Sequence, residues 1–147
     1  MIGQVIRTSF ISLGAGFLAQ IVENWLGSQY FTTFLQGNLV NLLVALLAVN
    51  SATMGIVLTK IRDLVEKHGH GDSFTKTRRQ MLLAVREQLL LAALSIVVLT
   101  LAQSPYLKNI PNMTLLFGAA TCGIFVYAMM ILYDIAKGVL IIIDFKL

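Results

Sequence analysis

Residues 38–58 read NLVNLLVALLAVNSATMGIVL, an apolar run long enough to cross a bilayer. A hydrocarbon core is about 30 Å thick, and a helix needs about 20 mostly apolar residues to span it. Directly after the run comes a basic stretch, from Lys60 to Arg79. An apolar run that ends in cations is both placed and oriented, because Lys and Arg gather on the cytoplasmic side of a membrane.

The rest of the chain agrees. Its 147 residues are 57% hydrophobic and 12% charged, with a mean hydropathy of +0.81. Soluble domains are about a quarter charged. The apolar residues fall into four blocks, which predicts an all-α membrane protein, a single four-helix transmembrane domain over residues 1–147. The spans are expected at about 8–26, 37–59, 83–103 and 113–133. Gly27-Ser28-Gln29 breaks the first pair, the run from His68 to Ser73 the second, and Pro105 and Pro111 bracket the turn before the fourth span. Gly and Pro punctuate because they disturb helical backbone. The net charge of +4 would point to nucleic acid in a soluble protein. Here it belongs beside anionic headgroups, with membrane lipid as the partner. No basic patch is interleaved with aromatic residues as a nucleic-acid groove requires, so no nucleic acid is expected.

Ten of the eleven Lys and Arg residues fall on one side of the four spans; only Lys108 falls on the other. Both termini and the central loop are therefore expected in the cytoplasm, in a multi-pass protein of the inner (plasma) membrane. Two other readings of the first span stay open. Arg7 before an apolar stretch fits a cleaved signal peptide, and the segment also fits a helix lying in the interface.

Helices two and three are expected to outrun the bilayer. From Gly37 to Lys67 no breaker intervenes until Gly69, and 31 residues make about 46 Å at ~1.5 Å per residue. About a third of that length would project, forming a cytoplasmic helical hairpin over residues 60–82. Ile61, Leu64 and Val65 would meet Met81 and Leu82. Ser73 is placed to cap the third helix, and Asp63 and Lys67 stand in the favourable i,i+4 order. Within the apolar C-terminal tail, 138–147, the run from Gly138 to Ile143 requires cover from the hairpin or the interface. Its three consecutive Ile also admit a short strand.

Polar and small residues mark the candidate functional positions. Ser9, Ser12, Gly16, Gln20 and Glu23 recur at steps of three or four in span one and share one helical face. They form either a helix–helix seam or a pore lining. Glu23, near the outer end, fits an interfacial carboxylate or one member of an acidic ring at a cation-selective mouth. Span two carries Gly37, Asn41, Ala45, Ala48, Ala52 and Gly55 on one face, and span four the pairs Gly118–Cys122 and Ala119–Gly123. Such small residues serve close packing, within the chain or between copies, so a homo-oligomer is expected. Asn41 and Asn50 would take interhelical hydrogen bonds. The lone cysteine, Cys122, reads as a small packing residue. At the cytoplasmic ends stand Arg62, Arg78, Arg79, Arg86 and Asp134; Arg86 and Asp134 read as snorkelling interfacial residues, with an ion pair between the two helices as the alternative.

Enzymatic chemistry has no foothold. Phosphate loops, HExxH, GxSxG and paired catalytic carboxylates are absent from the sequence, and no cofactor is implied. His68, His70 and Asp72 have no obvious further metal ligand and read as a solvated loop, so no metal is expected. Asn112-Met113-Thr114 matches the glycosylation sequon, but Asn112 reads better as a helix cap.

The span that runs into TKIRDLVEKH and returns through TRRQMLLAVREQ resembles, in layout, small four-span inner-membrane proteins of phage exclusion and antiphage defence, the RexB-like type. The resemblance covers most of the chain by pattern and carries over no functional residue. It implies an effector that alters membrane permeability. The function expected is thus an oligomeric ion-conducting or membrane-depolarising effector, gated through the hairpin by a cytosolic protein partner. The alternative is a non-conducting anchor that docks such a partner.

Overall fold

The computed structural model describes residues 2–68, 75–108 and 110–143, and among them it is helical with no strand. The elements are α1 (Ile2–Leu26), α2 (Tyr30–His68), α3 (Thr75–Gln103), the single turn α4 (Pro105–Lys108) and α5 (Met113–Ile143). Four of these are long and apolar enough to cross a membrane, over Val5–Leu26, Tyr30–Asp63, Arg78–Gln103 and Met113–Leu140. Helices suit that environment because each satisfies its own backbone hydrogen bonds.

Local chemistry sets the ends. α1 stops at Gly27, whose φ of 64° is the left-handed conformation glycine adopts at least cost. The Ser28 N–H donates to the Glu23 carbonyl at 3.0 Å and the Gly27 N–H to the Asn24 carbonyl at 3.3 Å, the paired closure of a Schellman motif. α2 then begins at Tyr30, seven residues before the expected Gly37. The stretch YFTTFLQ is too polar to extend an apolar window but holds no breaker. Before α5 the chain turns through Pro111 and Asn112. Asn112 has φ 68°, and the Met113 N–H donates to the Ile110 carbonyl at 3.3 Å. Pro followed by a positive-φ Asn is the pattern of a type II turn. The Asn112 carbonyl accepts the Leu116 N–H at 3.0 Å and so opens the helix.

The strand considered for Gly138–Ile143 does not form; α5 runs unbroken through it. Packing overrides the β preference of the isoleucines, since Val139 lies against a buried cluster of Val57, Ile61 and Met81. That cluster brings together the basic ends of α2, α3 and α5. Val65 joins it, but Leu82 does not and stays exposed. The side chain of Leu64 and residues 69–74, with the expected Ser73 cap, lie outside the described residues. So does the Lys67 side chain of the expected Asp63–Lys67 pair. Arg62 and Glu66 pair instead, at 2.8 Å.

α5 is the central helix: half of its apolar segment is buried, against 11–17% for the other three. α1 lies antiparallel along one side of it. α2 and α3 pack on its other sides and on each other, around Leu35, Leu39, Leu43, Cys122, Ile124 and Ala128. The outer surface is apolar, with Phe10, Leu18, Ile56 and Leu90 all more than 60% exposed. In water such a surface would drive aggregation; in lipid it is ordinary. Trp25, Tyr30 and Tyr106 are exposed at the end away from the arginines, and Tyr133 near the basic end. Amphipathic rings collect at both membrane interfaces. Between Met113, roughly level with Trp25, and Tyr133 the helix rises about 30 Å at ~1.5 Å per residue, the thickness of a hydrocarbon core.

Candidate functional site: polar positions in and around the bundle

The polar stripe of α1 meets α5. Ser12 and Gly16 are buried. A Cβ on Gly16 would lie 2.2 Å from the Ala119 carbonyl oxygen and 2.8 Å from the Gly123 nitrogen; one on Gly123 would lie 3.2 Å from the Ser12 carbonyl oxygen. The two backbones are in contact, which only small residues permit. Ser12 turns its hydroxyl back to the Ser9 carbonyl at 3.0 Å, satisfying it inside the seam. Further along, the Gln20 amide lies over Gly118 and donates to the Cys122 sulfur at 3.7 Å. Ala119 and Cys122 are fully covered. The span-four pairs Gly118–Cys122 and Ala119–Gly123 thus form the other half of this seam.

Glu23 closes the turn between α1 and α2. Its Oε1 accepts the Phe31 N–H at 2.7 Å and the Thr32 N–H at 3.1 Å. Its Oε2 accepts the Thr32 hydroxyl and, at 3.3 Å, the Gln20 amide, and Gln20 also donates to the Thr32 oxygen. The first backbone carbonyl of α2 to be used is Gln29, which accepts the Thr33 N–H at 2.9 Å. Glu23 therefore serves the N–H groups that an N-cap side chain ordinarily serves. Its charge sits at the positive end of the α2 dipole.

The small face of α2 is placed differently. Gly37, Asn41, Ala45, Ala48, Ala52 and Gly55 are all exposed, and a Cβ on Gly37 or Gly55 would meet nothing within 4 Å. Among the described residues, no element covers this face. Asn50, on another side of α2, is 1% exposed, as is Gln88 of α3, and neither amide has a hydrogen-bond partner among the described residues. Ser95 and Thr121 are fully buried too, and their hydroxyls bond backward to Ala92 and Phe117 of their own helices. The interhelical bond expected for Asn50 is thus not made, although the side chain is interior.

At the basic end, Arg62, Arg78, Arg79 and Arg86 are exposed. Arg86 and Asp134 are both exposed, as snorkelling residues are, and the alternative ion pair between them is not made. Arg62–Glu66 is the one ion pair among the described residues. Arg86 points away because the next residue, Glu87, takes the inward face of α3, and its carboxylate accepts the Tyr127 hydroxyl at 3.3 Å. Asp134 lines the same cleft as Glu87 and Tyr127. Thr32, Gln88 and Tyr127 were not singled out from the sequence. Gln88 carried a signal, a polar residue at the start of an apolar block; Thr32 and Tyr127 carried none. The candidate loop ligands His70 and Asp72, and the His68 side chain, lie outside the described residues.

No family model, no curated protein and no solved structure matches this chain.

Proposed function

We propose that the protein is a homo-oligomeric effector of the inner membrane that raises ion permeability, with both termini and the basic end of the bundle in the cytoplasm. The observation that carries this reading is the open small-residue face of α2. Asn41 stands on that face among Gly37, Ala45 and Ala48, within the apolar segment of α2. A polar side chain turned to hydrocarbon gains by facing a partner or water. Further copies supply that partner when a closed cyclic rotation brings the α2 face of each copy to one axis. The stripe of α1 is occupied by α5, so conduction is assigned to the axis between α2 helices, with Asn41 as its polar ring. The resemblance in layout to phage-exclusion proteins supports a role in antiviral defence.

The test is reconstitution in liposomes with a potential-sensitive dye, together with the mass of the purified protein in detergent. The reading expects an oligomer and ion flux, both lost in Ala48→Leu and flux alone reduced in Asn41→Leu. A monomer that passes no current under any trigger would end it.

A second reading, a non-conducting anchor, is favoured by the solvated charges Lys60, Arg62, Asp63, Glu66, Arg78 and Arg79, which offer a mixed-charge surface to a cytosolic protein. Under it, deleting residues 68–73 abolishes partner capture while leaving the helical bundle folded.

A further inference from the structure

A cleft of about 350 Å³ opens at the basic end between α1, α3 and α5, and its walls and its polar groups are chemically distinct. Met81, Ala84, Ile131 and Ile135 make an apolar wall; the polar groups include Glu87, Tyr127, Asp134 and Lys137, with Thr8 and Gln80 beside them. Pockets of this size take small organic molecules when apolar walls meet a few converging polar groups. α3 and α5 run antiparallel, and Glu87 from one and Asp134 from the other both line the cleft. Glu87 is half-buried with its Tyr127 hydrogen bond at 3.3 Å, while Asp134 and Lys137 stand exposed at the rim.

We infer that this cleft binds a primary ammonium carried on an apolar body. Three N–H donors match two carboxylates, and charge-assisted hydrogen bonds of this kind are the stronger ones. The apolar wall takes the hydrocarbon portion, and Lys137 at the rim meets an attached anionic group such as a phosphate. A divalent metal is less well matched, since no group of three His, Cys, Asp or Glu stands together among the described residues. The shared chemistry has two sources, an aminophospholipid headgroup and a free alkylamine. The inference does not depend on whether the protein conducts.

The experiment has two arms, each on the full chain in detergent. In the first, native mass spectrometry compares adducts of phosphatidylethanolamine, phosphatidylcholine and phosphatidylglycerol. In the second, octylamine is compared with octanol by thermal unfolding, because a ligand of the folded state raises its stability by mass action. A lipid source is shown by retention of phosphatidylethanolamine over phosphatidylcholine, weakened about tenfold in Glu87→Gln/Asp134→Asn, with phosphatidylglycerol unchanged. A free-amine source is shown by a rise in unfolding temperature with octylamine but not octanol, absent from the same variant. Ala84→Phe, which fills the cleft without altering charge, should abolish whichever effect is seen, and helicity by circular dichroism establishes that each variant is folded. Equal retention of the three lipids with no octylamine effect would overturn the inference, as would amine binding that survives in both variants.

Discussion

The Glu23 carboxylate accepts the backbone N–H of Phe31 at 2.7 Å, so the last turn of α1 caps the first turn of α2. The same residue's carbonyl holds Ser28 at 3.0 Å. One side chain and its own backbone thus close both ends of the turn.

Glu23→Ala should therefore destabilise the fold by about 1–2 kcal/mol, the range for a lost cap with a charged acceptor. Glu23→Gln, which keeps an oxygen but not the charge, should lose less than half of that. Denaturant titration in mixed micelles, followed by circular dichroism, measures both. Equal losses for the two would show that charge, not the acceptor, holds the turn.

Gly16→Ala should be worse than Gly118→Ala. The added methyl at Gly16 meets fixed backbone of Ala119 and Gly123, whereas at Gly118 it meets a side chain, the Gln20 amide at 2.5 Å, which can shift at the expense of its bonds to Glu23 and Cys122. We expect about 1–3 kcal/mol for the first, as overpacking costs, and under about 1 kcal/mol for the second. Cys122, buried beside this seam, reports on it: maleimide labelling should accelerate in Gly16→Ala and hardly change in Gly118→Ala.

Gly27→Ala should cost about 1 kcal/mol, because a side chain is strained at a φ of 64°. Gly27→Asn should recover part of the loss, since Asn tolerates that conformation. Thermal unfolding of the pair provides the measurement.

Gln88→Leu should leave stability unchanged or raise it by about 1 kcal/mol. The amide is 1% exposed with neither polar atom bonded to another described residue, and an apolar replacement of similar volume removes a desolvation cost. A loss instead would reveal a bridging water on which the packing depends. Arg62→Ala, by contrast, should fall within about 0.5 kcal/mol, because its pair with Glu66 is solvated on both sides.

Much was legible without coordinates. Four apolar blocks predicted four long helices, and the clustering of Lys60, Arg62, Arg78 and Arg79 predicted one basic end. Boundaries drifted where hydropathy and helix formation diverge: Tyr30 to Gln36 and Gly138 to Ile143 are helical for want of a breaker, not because a window is apolar. The recurrence of Ser12, Gly16 and Gln20 marked a face. Periodicity does not say what that face meets, and equal depth on two helices does not establish facing directions, so Arg86 and Asp134 stand level without pairing.

What the chain settled by itself was local and solvent-driven: that four segments are long helices, and where the cations gather. Those follow from hydrocarbon thickness and from each helix satisfying its own backbone. The tertiary structure decided which faces are used. It set α1 on α5, turned Glu23 onto α2 and left the small-residue face of α2, from Gly37 through Asn41 and Ala48 to Gly55, uncovered by the other described elements. In lipid the apolar surroundings do not discriminate among helix faces, so only close packing and hydrogen bonding between particular helices select the partner.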